Sequence, residues 1–214
     1  RACPSCTCWL PDGHPYGWPV NRRLSAADLA RVAVFAGLIA ALSLPGQFYL
    51  FGSSVPVTLQ TLGVMLTGLL LGARLGALAV LVYLAIGAAG LPVFAGGAAG
   101  LGVFAGPTAG YLVGFAVGAF VIGLIVRLRR PFHPAVAFVA AVVGGIAVVY
   151  ATGVPVLAWR LDRDFGTALR TGATIFLPGD LLKAVLATVI ASGVYRAYPA
   201  LARDDAREAA SSRT

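Results

Sequence analysis

VTLQTLGVMLTGLLLGARLGALAVLVYLAIGAA, residues 57–89, carries one formal charge, Arg74. The same charge is the only one across residues 55–126. A bilayer core needs roughly 20 apolar residues per helix, so this stretch alone supplies three crossings. The whole chain agrees: 214 residues, 59% hydrophobic, 11% charged, mean hydropathy +0.87. Ordinary soluble domains carry roughly 25% charged residues. The reading is an all-α integral membrane protein, six transmembrane helices in a compact bundle over residues 28–198. Residues 1–27 read as a polar, disordered lead and residues 199–214 as a polar cytosolic tail. The net charge of +8 reports membrane topology, because arginines sit at the ends of apolar runs. No basic-aromatic patch of the kind that binds nucleic acid is present.

In chain order, Ser25 or Asp28 can cap a first span over residues 28–49. That span holds two offset small-residue pairs, Ala36-x-x-x-Ala40 and Gly37-x-x-x-Ala41, whose faces suit close helix contact, either with a partner or inside the bundle. A second span over 57–72 is followed by the very short connection Gly72-Ala73-Arg74 and a third span to residue 89. Seven glycines and two prolines in residues 90–112 rule out one regular helix there. Irregular apolar backbone at membrane depth is tolerated where protein buries it or a cavity needs it, so this is read as a loop over a pocket. A fourth span over 107–126 carries Gly110, Gly114 and Gly118 at four-residue intervals, a seam for tight packing. A fifth over 134–158 has Gly144-Gly145 near its middle and His133 at its entrance as an interfacial residue. An amphipathic connection at 159–174 leads to the sixth, over 177–197.

The sixth span begins PGDLLK, with Asp180 and Lys183 three residues apart. A charge at the centre of a membrane helix costs roughly 2.5 to 3.5 kcal/mol, so a carboxylate and an ammonium on one helical face either neutralise each other or hold a ligand. Gln60 can face a ligand or bond a neighbouring helix. Cys3, Cys6, Cys8 and His14 could be drawn as a zinc tetrahedron, but the segment reads as disordered and no metal is expected. No G-x-x-x-x-G-K-[ST] phosphate loop exists, and the sole lysine is Lys183.

With the N-terminus inside, Arg1, Arg22, Arg23, Arg31, Arg74, Arg127, Arg129, Arg130, Arg196, Arg203, Arg207 and Arg213 are cytosolic, and only Arg160, Arg163 and Arg170 are external. The asymmetry satisfies the positive-inside rule. Both termini are then cytosolic, and the glycine-rich loop and the Pro178 end of the last span share the external side.

VPVTLQTLGVMLTGLLLG, YLAIGAAGLPVFAGG, GPTAGYLVG and FLPGDLLK, in this order, resemble the BioY family, the biotin-specific substrate-binding (S) components of energy-coupling factor (ECF) transporters. The resemblance covers about residues 28–198. It implies a non-enzymatic, multi-pass protein of the cell membrane that captures biotin. A transmembrane coupling subunit and two cytosolic ATPases power uptake, so the chain itself needs no cofactor. It also implies ligand contacts at Asp180 and Lys183, with Phe94, Gly96, Gly97 and the GPTAGY segment lining the pocket. Tyr83, Phe94 and Tyr111 could wall the apolar ring or belong to the core. The small-residue face of the first span that docks on the coupling subunit would be Ala36 and Ala40. Where some members carry polar or cationic side chains, this chain has Ala98 and Leu112, so Lys183 is open to either the ureido oxygen or the biotin carboxylate. Rival readings are an S component for another vitamin, a stand-alone small-solute carrier, and an intramembrane enzyme. The last lacks a nucleophile or a His/Cys/carboxylate cluster in its spans.

Overall fold

The computed structural model describes residues 24–44, 58–128 and 132–198. Among these every regular element is helical, and five helices are long and apolar enough to cross a membrane. Helix α1, Ala26–Ser43, starts at Ser25, whose Oγ accepts from Asp28 N at 3.1 Å while Asp28 Oδ2 accepts from Ser25 N at 3.1 Å. This reciprocal pairing satisfies two of the amides left free at a helix start. The zinc arrangement of Cys3, Cys6, Cys8 and His14 lies outside the described residues, as do the polar tail and the end of the predicted first span.

The helical segment Gln60–Ala88 doubles back at Gly72, whose φ of 76° and ψ of −173° belong to a region open essentially to glycine alone. Gln60 and Tyr83 are hydrogen-bonded at 2.5 Å, although a straight helix would separate residues so spaced by about 35 Å. We therefore label two antiparallel arms, α2 (60–71) and α3 (73–88). The short connection expected at Gly72-Ala73-Arg74 is this turn. Helix α4 is Ala109–Leu128. Helix α5, Pro134–Arg160, contains a π-helical stretch, Val143–Val148. His133 caps its start through Nδ1, accepting from Ala135 N at 3.3 Å. A short helix α6, Phe165–Leu169, leads to α7, Leu177–Ala197.

The glycine seam of α4 packs on α5. A Cβ at Gly110 would stand 2.5 Å from Thr152 O, and one at Gly118 would stand 2.5 Å from Gly144 O. At the other end of α4, Gly123 lies against the backbone of the Gly72-Ala73 turn. Tyr195 near the end of α7 reaches Leu69 O at 3.3 Å. Ser43, Gln60, Ala88, Ala109, Arg160 and Leu177 therefore mark one end of an up-and-down bundle, and the Gly72 turn marks the other.

Helix α7 reverses the amphipathicity of a water-soluble helix. Asp180, Lys183, Ala184, Ala187, Thr188 and Ala191 face inward, while Leu182, Val185, Leu186, Val189 and Ile190 are exposed. Large apolar side chains on the outside and small or polar ones inside suit a lipid surround, where small residues let helix backbones approach.

Ala36 is 2% exposed and lies in the same apolar cluster as Val80 and Tyr83, with Ala40 packed against it. Ala33, Gly37 and Ala41 face outward instead. Adjacent residues point about 100° apart on a helix, so the two overlapping small-residue stripes face different surroundings.

Candidate functional site

Asp180 and Lys183 sit in the first turns of α7 and are 4% and 8% exposed. Pro178 at the helix start costs no hydrogen bond, because amides in the first turn have no intrahelical partner. Lys183 Nζ lies 2.9 Å from Asp180 Oδ1, the i,i+3 pairing foreseen from spacing. The ammonium also donates to Thr58 O at 2.6 Å and to Thr61 Oγ1 at 3.1 Å. An ammonium has three protons, so all of them are engaged within the protein.

Asp180 is equally well held. Oδ1 accepts from Lys183 and from Thr61 Oγ1, the latter at 3.0 Å, and Oδ2 accepts from the Tyr150 hydroxyl. Three elements thus converge on one carboxylate: α7 itself, the start of α2, and the middle of α5. A buried ion pair is tolerable when hydrogen bonds satisfy its protons and most of its lone pairs; here all three ammonium protons and three of the carboxylate's four acceptor sites are used.

The network continues into the glycine-rich loop. Thr58 Oγ1 donates to Gln60 Oε1 at 3.0 Å, Gln60 Nε2 donates to Tyr83 OH, and Tyr83 OH donates to Val93 O at 3.2 Å. Ser43 at the end of α1 donates to the same Val93 carbonyl. Next in sequence, Phe94 is 2% exposed and stands edge-on to both Tyr83 and Phe104, with ring centroids 5.6 and 5.7 Å apart. Its ring fills a notch that exists because Gly87 has no side chain; a Cβ there would overlap the ring. The loop is tied at Gly100 as well, whose N donates to Gly87 O at 2.8 Å.

Asp180, Lys183, Gln60 and Tyr83 are accordingly brought into one hydrogen-bonded chain, with Phe94 against its far end. Gln60 bonds the adjacent helix arm, one of the two roles open to it. Gly96 and Gly97 lie apart, on an exposed turn with φ of 66° and 76°. Tyr111 is buried, but its hydroxyl donates to Gly172 O at 2.8 Å and its ring lies against Gly153 and Gly172, so it braces α4 against α5 and the approach to α7. Thr61 and Tyr150 belong to the site and were not singled out from sequence. For Thr61 the available signal was TLQT, which puts a hydroxyl one residue from the amide. Tyr150 had only its hydroxyl in an apolar span.

The chain is similar in sequence and fold to known proteins. The family model described as "BioY family" matches residues 19–200. A biotin transporter BioY of Rhizobium etli is 45% identical over 184 residues, covering 83% of this chain and 98% of that protein. One from Rhodobacter capsulatus is 45% identical over 189 residues, covering 82% and 98%. One from Thermotoga maritima is 41% identical over 162 residues, covering 75% and 94%. Among solved structures, the S-component for biotin from an ECF-type ABC transporter superposes with a TM-score of 0.74 at 27% identity, covering 79% of this chain and 91% of that one. A lipid-adapted helical bundle, four ordered motifs and a match over nearly the whole described chain lead to one conclusion: this protein belongs to the BioY family.

Proposed function

We propose that the protein captures biotin at the outer face of the cell membrane, as the substrate-binding component of an ECF-type ABC transporter and not as an enzyme. The observation that carries this reading is the buried Asp180–Lys183 pair, 2.9 Å apart at the loop-covered end of a bundle of this family. Each arm of the Gly72 hairpin counts as a crossing, which gives six. Arg74, Arg127 and Arg196 then fall at the cytosolic end, and Arg160, Arg163 and Arg170 at the site end, as the positive-inside rule asks.

Biotin offers a ureido group with two N–H donors and one carbonyl acceptor, a thioether ring and an ionised valerate. Asp180 accepts from a ureido N–H, a charge-assisted bond stronger than a neutral one. Lys183 serves a ligand oxygen by giving up its bond to Thr58 O, and Tyr83 and Phe94 flank the apolar ring. Calorimetry of the purified protein should show tight binding of biotin and none of thiamine or riboflavin. Binding of either rival vitamin in place of biotin would move the protein to a different S-component specificity.

Energy comes from partner subunits, a transmembrane coupling subunit and two cytosolic ATPases. Docking through α1 uses the outward face of Ala33, Gly37 and Ala41, since a Cβ at Gly37 meets nothing within 4 Å. Gly37→Leu should leave biotin affinity unchanged and reduce co-purification of the coupling subunit at least about tenfold, because bulk prevents close helix approach. Ala36→Leu should instead destabilise the bundle itself by about 1 to 3 kcal/mol through overpacking. Normal complex assembly by Gly37→Leu would remove this face from the docking surface. Uptake that survives loss of every ATPase partner would favour a stand-alone carrier.

A further inference from the structure

We infer that Tyr150 is a positioning residue for ligand recognition, fixing the direction in which Asp180 presents the one lone pair that the described residues leave free. The inference rests on the reading that Asp180 accepts an N–H of the ligand. An ionised carboxylate has about four lone-pair sites, two on each oxygen. Lys183 and Thr61 use both on Oδ1, and Tyr150 uses one on Oδ2. Among the described residues the remaining site is therefore on Oδ2, beside the Tyr150 hydroxyl. A carboxylate gripped on Oδ1 alone could still swing about its Cβ–Cγ bond. The third donor, from a different helix, removes that freedom.

Two features of α5 make Tyr150 suited to this. Its ring packs against all three apolar clusters of the bundle, so the hydroxyl is aimed by packing on several sides. It also lies two residues beyond the π-helical stretch Val143–Val148. Wider turns rotate the helix that follows them relative to the helix before, and such stretches occur frequently at functional sites. The stretch is seated by close contacts: a Cβ at Gly144 would stand 2.6 Å from Gly118 O, and one at Gly145 would stand 2.6 Å from the Met65 side chain. Tyr150 is thus directed toward α7 by a backbone feature with its own packing partners.

Tyr150→Phe keeps the ring and removes only the donor. Titrations with biotin, and displacement titrations with biotin methylated at a ureido nitrogen, should be run on the wild type, Tyr150→Phe and Asp180→Asn, with melting temperatures measured in parallel. Tyr150→Phe should weaken biotin about tenfold, equivalent to ~1.4 kcal/mol, close to the lower end for a hydrogen bond to a charged group. It should weaken the methylated ligand much less, so the ratio between the two falls. A merely loosened bundle lowers both affinities in proportion and leaves the ratio intact, even if the melting temperature drops. An unchanged ratio, or unchanged biotin affinity, overturns the positioning role. If Asp180→Asn itself binds biotin normally, the recognition reading fails. If it does not bind while Tyr150→Phe is unaffected, only the present inference fails.

Discussion

Asp180→Asn is expected to abolish high-affinity biotin binding, lowering affinity at least about a hundredfold, while the protein still inserts and folds. The substitution keeps the side-chain volume but removes the charge and converts one acceptor into a donor. Among the described residues Lys183, Thr61 and Tyr150 all donate to Asp180, so an amide NH₂ on either side gives up a donated bond and bonds only if a hydroxyl turns round to accept. Lys183→Ala carries a second cost. It leaves a 4% exposed carboxylate without its cation and frees Thr58 O, the tie between α7 and the start of α2. Breaking one side of a buried pair costs about 3 to 5 kcal/mol, so Lys183→Ala should lose thermal stability as well as binding. The combination Asp180→Asn with Lys183→Gln separates the two roles, because removing both charges relieves the unpaired one. Its melting temperature should return toward the wild-type value, whereas calorimetry should still detect no tight biotin binding. Unchanged affinity in that double variant would show that the pair serves only to hold α7 against α2.

These partners show how far the site could be followed from sequence. The Asp180–Lys183 contact was legible because it depends on helix geometry alone: three residues apart on one helix means one face. The Gly110, Gly114 and Gly118 seam was legible for the same reason. Thr61 was harder, since Gln60 and Thr61 are neighbours and only the placement of α3 and α7 decides which faces which. Tyr150 lay beyond reach, because the π-helical stretch before it breaks the 3.6-residue period on which facing arguments rest. At α1 two small-residue stripes are offset by one residue, and composition does not say which meets lipid. The irregular loop was anticipated from its glycines and prolines. Phe94 as the side chain that anchors it became specific only with Gly87 beneath the ring.

Gly123→Ala should be the most damaging single-methyl change in the bundle. A Cβ at this position would overlap Ala73 N and Gly72 C and would stand 2.6 Å from Ala73 Cα. These are backbone atoms of a turn already held at φ 76°, with no flexible side chain to move aside. Ordinary overpacking costs about 1 to 3 kcal/mol, and a clash with fixed backbone on both sides should exceed about 4 kcal/mol, the range reached only by specific structural failures. The consequence is topological, because α4 could no longer close on the hairpin that makes α2 and α3 antiparallel. Gln60 and Thr61 would then lose their register with Tyr83 and Asp180 at the far end. Gly72→Ala tests the other half of the contact: nothing lies within 4 Å of its Cβ, so its cost of about 1 to 3 kcal/mol is pure backbone strain. Gly37→Ala, on the open face of α1, should be neutral. Melting curves of the purified variants should rank Gly123→Ala well below Gly72→Ala, and Gly72→Ala below Gly37→Ala. If Gly123→Ala melts with the wild type, the turn can shift away from α4, and the hairpin does not depend on this contact for its closure.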